Sequence, residues 1–235
     1  ILAMDCTLLS EPYDVQSKDD LADFFKRQET MKLFLSAGGK RSCTGVPITP
    51  DIRSLWEKAS HKHYGSQFMP SDNDVAVATD TDAQFPGFKM VTTVLNGCKR
   101  LEDSHGMPVY EFCMIGDRTR IVGSPPVVWL VRKLTGQSKE DESDTFQLSE
   151  TKAKSTISIA DQGKATCAFQ LDLQFQTTVK FPKMLLRLLP ASKSKVEERG
   201  TQSVTKALLK DAGGAVQVVR ENWTTRLDYK ERTVV

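Results

Sequence analysis

The stretch from Ala165 to Phe181 reads ATCAFQLDLQFQTTVKF. Its odd positions carry Cys167, Phe169, Leu171, Leu173, Phe175, Val179 and Phe181, with Thr177 the one polar member. Its even positions carry Thr166, Gln170, Asp172, Gln174, Gln176, Thr178 and Lys180, with Ala168 the exception. Successive side chains of an extended chain point to opposite faces, so this alternation predicts one long antiparallel strand with a dry face and a wet face. At about 3.3 Å per residue such a strand spans roughly 55 Å. A strand of that length is expected to bend around something.

Downstream, Phe181-Pro182 ends the strand, and the apolar segment Lys183 to Pro190 leads into a long helix from about Ser192 to Asn222. Val204, Leu208, Ala212, Ala215, Val219 and Trp223 recur at helical spacing and form one stripe. Gly213-Gly214 lies inside that helix and costs about 2 kcal/mol relative to alanine, which predicts a kink or a close packing contact.

Upstream, Phe88 to Leu101 and Val109 to Val122 read as a strand pair around the turn Asp103-Ser104-His105-Gly106. Tyr110, Phe112 and Met114 alternate with Glu111, Cys113 and Ile115, so the second of these strands is expected to be covered on both faces. Pro125 to Val131 is a short helix or a folded loop. Lys139 to Asp144 (KEDESD) is an acidic, solvated loop between two strands. Ile1 to Tyr13 reads as a strand. Ser17 and Asp20 form a capping-box-like start for a helix whose stripe, Leu21, Phe24 and Phe25, slips near Gln28 and resumes at Met31, Phe34 and Leu35 before Gly38-Gly39. Thr49-Pro50 begins another helix, with Ile52, Leu55 and Trp56 on one face. Ser66 to Gly87 is polar and carries weak strand signals, and residues 43–84 are read as an irregular insertion.

The 235 residues hold 39% hydrophobic and 26% charged residues, enough for one sizeable core and too apolar for global disorder. The formal charge of +2 and the dispersed cations argue against nucleic acid as a partner. The longest apolar run, Val127 to Val131, falls far short of the roughly 20 residues of a spanning helix. Five widely spaced cysteines form no C-x-x-C, which fits a reducing compartment, with Cys113 and Cys167 as buried thiols. His61-x-His63 lacks a third ligand, so no metal site is expected. No phosphate-binding, nucleophile-elbow or metalloprotease motif occurs. Asp172 falls on the wet face, Glu111 is read as facing solvent, and Asp117 flanks its strand. No catalytic residue is therefore assigned. The chain opens on Ile1, which is read as the mark of a removed presequence and import into an organelle.

Strand, helices, a run of antiparallel strands and one long terminal helix make an α+β chain with a single domain over residues 1–235. The tail VKFPKMLLRLLPASKSKVEERGTQSVTKALLKD, from Val179 to Asp211, resembles an uncharacterised family of START-like proteins from cyanobacteria and plastid-bearing eukaryotes. These belong to the helix-grip superfamily of polyketide cyclases and lipid-transfer domains. The matching features are the late strand Val179 to Pro182, the apolar hinge Leu185 to Pro190 and the helix entry Glu198-Arg199-Gly200. The stretch from Leu21 to Leu35 is similar to that family's first helix.

The resemblance implies a curved antiparallel sheet gripping the C-terminal helix, a plastid protein at the stromal side of the thylakoid, and a lipid or pigment bound without covalent attachment. Phe169, Leu171, Leu173 and Phe175, with Val219 and Trp223 opposite, are the expected pocket. Lys183, Leu185, Leu186, Arg187, Leu188 and Leu189, together with Trp129, are the expected docking surface for a membrane or a membrane complex. Two alternatives stand beside this reading. One is an accessory subunit or assembly factor of a photosynthetic membrane complex with a filled core, and the other is a cyclase-like enzyme.

Overall fold

The computed structural model describes residues 2–15, 17–85, 88–126, 128–129, 145–146, 149–163, 165–179 and 193–233. The chain opens with β1 (Leu2–Leu9) and β2 (Tyr13–Asp14), then helices α1 (Lys18–Phe25) and α2 (Gln28–Leu35). Strand β3 (Ser42–Val46) and helix α3 (Pro50–Ala59) follow, then β4 (Val75–Phe85), β5 (Phe88–Glu102) and β6 (Pro108–Gly123). Strands β7 (Thr145–Phe146), β8 (Ser149–Gly163) and β9 (Thr166–Val179) lead to the C-terminal helix α4 (Lys193–Thr233).

The strands form one nine-stranded sheet in the order β1-β9-β8-β6-β5-β4-β3, with β2 also on β9 and β7 on β6. Every pairing is antiparallel. The alternating stretch is the 14-residue β9, paired along its length with β1 on one side and β8 on the other. The fold is therefore α+β, a large antiparallel sheet with a long C-terminal helix across one face. That face, here the inner one, carries α1, α2 and α4. The outer face carries α3.

Local chemistry accounts for the element ends. The Ser17 hydroxyl accepts the Asp20 N–H at the start of α1, and Thr49 caps α3 with Pro50 in the first turn. The expected slip near Gln28 is a break at Lys26 and Arg27 that divides the stretch into α1 and α2. The Gly213-Gly214 pair sits in unbroken helix, and neither the kink nor the close contact expected there is found: a Cβ at Gly213 would meet nothing within 4 Å, and one at Gly214 only the Lys40 Nζ at 3.4 Å. Gly38, at φ +72, lies against α4 so closely that a Cβ there would stand 2.9 Å from Val218 Cγ2 and 3.7 Å from the Gly214 carbonyl. Helix α4 runs to Thr233, past the Asn222 expected.

Residues 43–84 are not an irregular insertion, because they contain β3, α3 and the 11-residue β4. Strand β4 (VAVATDTDAQF) was hidden by its many threonines and aspartates. Its backbone is held by β3 and β5 on either side, and those ladders outweigh weak intrinsic strand propensity.

The outer face has its own small core. Trp56 is fully buried there with Ala59, Phe68, Ala76, Cys113 and Ile115. Its indole N–H donates to the Phe68 carbonyl at 2.8 Å. Gly97 on β5 makes this seating possible, since a Cβ there would lie 2.4 Å from the indole ring. Strand β6 is thus covered on both sides, with Tyr110 and Phe112 in the inner core and Cys113 and Ile115 in the outer one.

Candidate functional site

Along the inner face, β9 divides into a packed part and a hollow part. In the packed part Phe169 is fully buried, stacked at 4.8 Å on Tyr13 and at 5.7 Å on Phe25. Trp223 and Val219 of α4 close over it, with Trp223 5.3 Å from Phe24. Phe169, Val219 and Trp223 were expected to line a pocket. They are core side chains instead, because three helices and β2 bring aromatic rings onto that part of the strand and leave no space.

Farther along the same strand the space opens. Leu171, Leu173 and Phe175 line a cavity of about 350 Å³ between the sheet and the helices α2 and α4. These three of the six expected residues share one cavity. Leu208 and Ala212 of α4 and Phe34 and Leu35 of α2 cover it from the other side. Its floor is β8, which presents Thr151, Ala153 and Ser155. Short side chains here, in place of the phenylalanines found elsewhere on the inner face, create the void.

The wall opposite β9 is polar, and sequence reasoning did not anticipate it. Thr79 of β4 and Thr92 and Asn96 of β5 face the cavity, with Asp117 of β6. Register makes Thr79 and Asn96 diagonal neighbours, since Thr79 pairs with Val94 and Val77 with Asn96. Asp117 was read only as flanking its strand; the bulge between Leu95 and Asn96 shifts the β5–β6 register just before it. Arg41, from the turn after α2, forms an ion pair with Asp211 of α4 at the cavity's edge. Their side chains are 31% and 28% exposed, so solvent screens the pair.

A larger, open groove of about 640 Å³ lies on the outer face, lined by Asp5, His63, Lys152, Lys154, Gln174 and Gln176 among others. Here the wet positions of β9 and β8 meet solvent. Glu111 faces this side and is bound to Lys154 at 2.8 Å rather than standing free in water. Burial, reinforced by Lys62 and Lys152, holds the His63 pKa below its ordinary value, with Glu150 opposing.

Tyr64 marks the thin place between groove and cavity. Strands β6 and β8 pair only over Tyr110–Cys113 and Lys154–Ile157. At the next step the Tyr64 hydroxyl takes the place of the ladder, donating to the Met114 carbonyl at 3.0 Å and accepting the Ala153 N–H at 3.2 Å. Met114 and Ala153 line the cavity on the inner side. Burial raises the Tyr64 pKa, so the hydroxyl stays protonated and able to donate.

The cysteines are free. Burial pushes the Cys98 thiol up to about 12 and raises Cys113 as well, which makes both poor nucleophiles. Among the described residues no group of three or more His, Cys, Asp or Glu gathers in metal-binding geometry. No described helix is long and apolar enough to cross a membrane. Of the expected docking residues, Trp129 is 52% exposed, as is Val122 nearby in sequence at 51%. Lys183, Leu185, Leu186, Arg187, Leu188 and Leu189 lie outside the described residues, as does the acidic loop Lys139 to Asp144. A scan of the chain against protein-family models and a search of curated proteins returned no match.

Proposed function

We propose that this chain is a binding protein of START-like, helix-grip type that holds a hydrophobic small molecule between α4 and the inner face of its sheet. The observation that carries this reading is the cavity beside Leu171, Leu173 and Phe175, with its long helix across the top. A volume of about 350 Å³ falls within the range of small-molecule sites. The sheet order, with β1 next to β9 and α4 laid across, supports the helix-grip assignment. An accessory subunit with a filled core is the weaker reading, because a cavity of about 350 Å³ lies between the inner face and its helices.

Docking at the stromal face of a thylakoid membrane is the companion proposal. Exposed Val122 and Trp129 support it, as they follow the cavity-lining part of β6 toward the end away from the packed core. The test is native mass spectrometry after incubation with a thylakoid lipid and pigment extract. The wild type is expected to gain one small hydrophobic adduct. Ala212→Trp, which places an indole in the cavity, is expected to gain none while keeping the wild-type circular dichroism. A bare polypeptide mass for the wild type overturns the reading.

A further inference from the structure

Resting on that reading, we infer that the ligand is a single-chain, uncharged amphiphile whose oxygen-bearing head lies against Thr79 and Asn96 and whose tail lies against Leu171, Leu173 and Phe175. Size, polarity and charge lead there separately.

Size comes first. At about 30 Å³ for each water-sized group, a cavity of about 350 Å³ has room for roughly a dozen such groups. A diacyl lipid or a tetrapyrrole with its tail is several times larger and would leave most of its apolar surface in solvent outside this open-sided cavity. One slender chain or a small ring system fits.

Polarity sets the direction. The β9 and α4 side is apolar, with Leu171, Leu173, Phe175, Leu208 and Ala212. The β4 and β5 side presents Thr79 and Asn96, whose side chains make no hydrogen bond to a described residue. Asn96 offers both a donor and an acceptor, and Thr79 offers a hydroxyl. A buried polar side chain left unpaired costs about 1–3 kcal/mol. Solvent reaches both in the unliganded cavity, so a ligand head that hydrogen-bonds to both replaces that solvent, and a wholly apolar ligand strips it and incurs the cost.

Charge selects the head. Arg41 is the one cation among the described lining residues, and Asp211 already occupies it. The other charged group of the lining, the Asp117 carboxylate, is itself engaged and offers a ligand no cation. A ligand carboxylate would therefore lose its hydration without gaining a free cation, and burying an unpaired charge is strongly unfavourable. A hydroxyl or carbonyl head pays no such cost and matches Thr79 and Asn96.

Isothermal titration of the whole chain with dodecanol, dodecanoate and dodecane at neutral pH tests this. Dodecanol is expected to bind one to one and at least about tenfold tighter than dodecanoate. In Asn96→Leu, close in volume, dodecanol is expected to weaken about five- to tenfold, the effect of one hydrogen bond, while dodecane is unchanged. Equal or tighter binding of dodecanoate overturns the inference and leaves the carrier reading in place. So does a diacyl lipid retained one to one. If none of the three chains binds and the thylakoid extract yields no adduct, the carrier reading fails with it.

Discussion

Phe169 and Phe175 sit on the same face of one strand and belong to the same alternation, yet their surroundings are opposite. Phe169 is fully buried among Tyr13, Phe24, Phe25 and Phe34. Phe175 is half-buried and borders a cavity. The difference arises across the strand and not along it. Opposite Phe169 stand bulky side chains from β2, α1 and the Val219 to Trp223 part of α4. Around Phe175 stand Ala153, Thr151 and Ala212. Large residues facing large residues make a core, and large residues facing small ones leave a cavity, because the backbone spacing set by the ladders does not shrink to close the gap.

The strongest way to break this comparison is to truncate each side. Trp223→Ala removes an indole that is 1% exposed and ringed by aromatics. It is expected to cost about 3–5 kcal/mol. Leu173→Ala removes a half-buried side chain beside existing space and is expected to cost about 1–2 kcal/mol. Urea denaturation of both variants measures the gap. Equal losses would mean that the cavity collapses in solution and that the two parts of β9 are packed alike.

A second comparison uses one substitution at two sites a single turn apart on α4. Ala215 is 2% exposed inside the packed core, so Ala215→Leu overpacks it and is expected to cost about 1–3 kcal/mol. Ala212 faces the cavity, so Ala212→Leu buries new methylenes in empty space and is expected to stabilise by about 1 kcal/mol. The same variant should weaken dodecanol binding. Opposite signs in the unfolding midpoints sharpen the division; a loss at both positions removes it.

Which face of β9 is dry was legible in the sequence; which part of that face is packed and which is hollow was not. Period-two alternation in β9 reveals which face is dry, and the Ser17 and Thr49 caps locate their helices. Alternation says nothing about what lies across the dry face, so Phe169, Val219 and Trp223 read as pocket just as readily as Leu173 and Phe175. The elements that decide the matter, β4 and β8, have the least regular sequences. Strand β8 (SETKAKSTISIADQG) turns Thr151, Ala153 and Ser155 inward, which hides it as a strand and hollows the cavity by the same choice of small residues. Thr79 and Asn96 become neighbours only through the β4–β5 register, across a sequence separation that no local pattern spans.

Tyr64 separates the cavity from the outer groove and sets up a smaller effect. Tyr64→Phe keeps the ring, which lies 5.8 Å from Phe68, and deletes the hydroxyl that joins Met114 to Ala153. A loss of about 1 kcal/mol is expected. The more telling readout is hydrogen exchange. The Ala153 amide should exchange faster while amides within the β6–β8 ladder, such as Ser155, hold their rates. Unchanged exchange at Ala153 would mean that the seam is held without the phenol.

The smallest expected effect lies on the groove side, at His63. Its neutral form is favoured in the fold, first by burial and then by Lys62 and Lys152, against the opposing pull of Glu150. Lys62 is itself bound to Glu150 at 2.5 Å, which limits that pull. A histidine whose folded pKa lies below its unfolded value of about 6.5 contributes stability above that pH and loses it as pH falls through the folded value. The wild type should therefore lose stability between about pH 7 and pH 5 more steeply than His63→Gln, which has no proton to take up there. Urea midpoints at the two pH values give the slope for each protein. Because His63 lines the groove and not the cavity, dodecanol binding should show no difference between wild type and His63→Gln across that range. A pH-dependent difference in dodecanol affinity would show that the seam at Tyr64 transmits charge from one face of the sheet to the other.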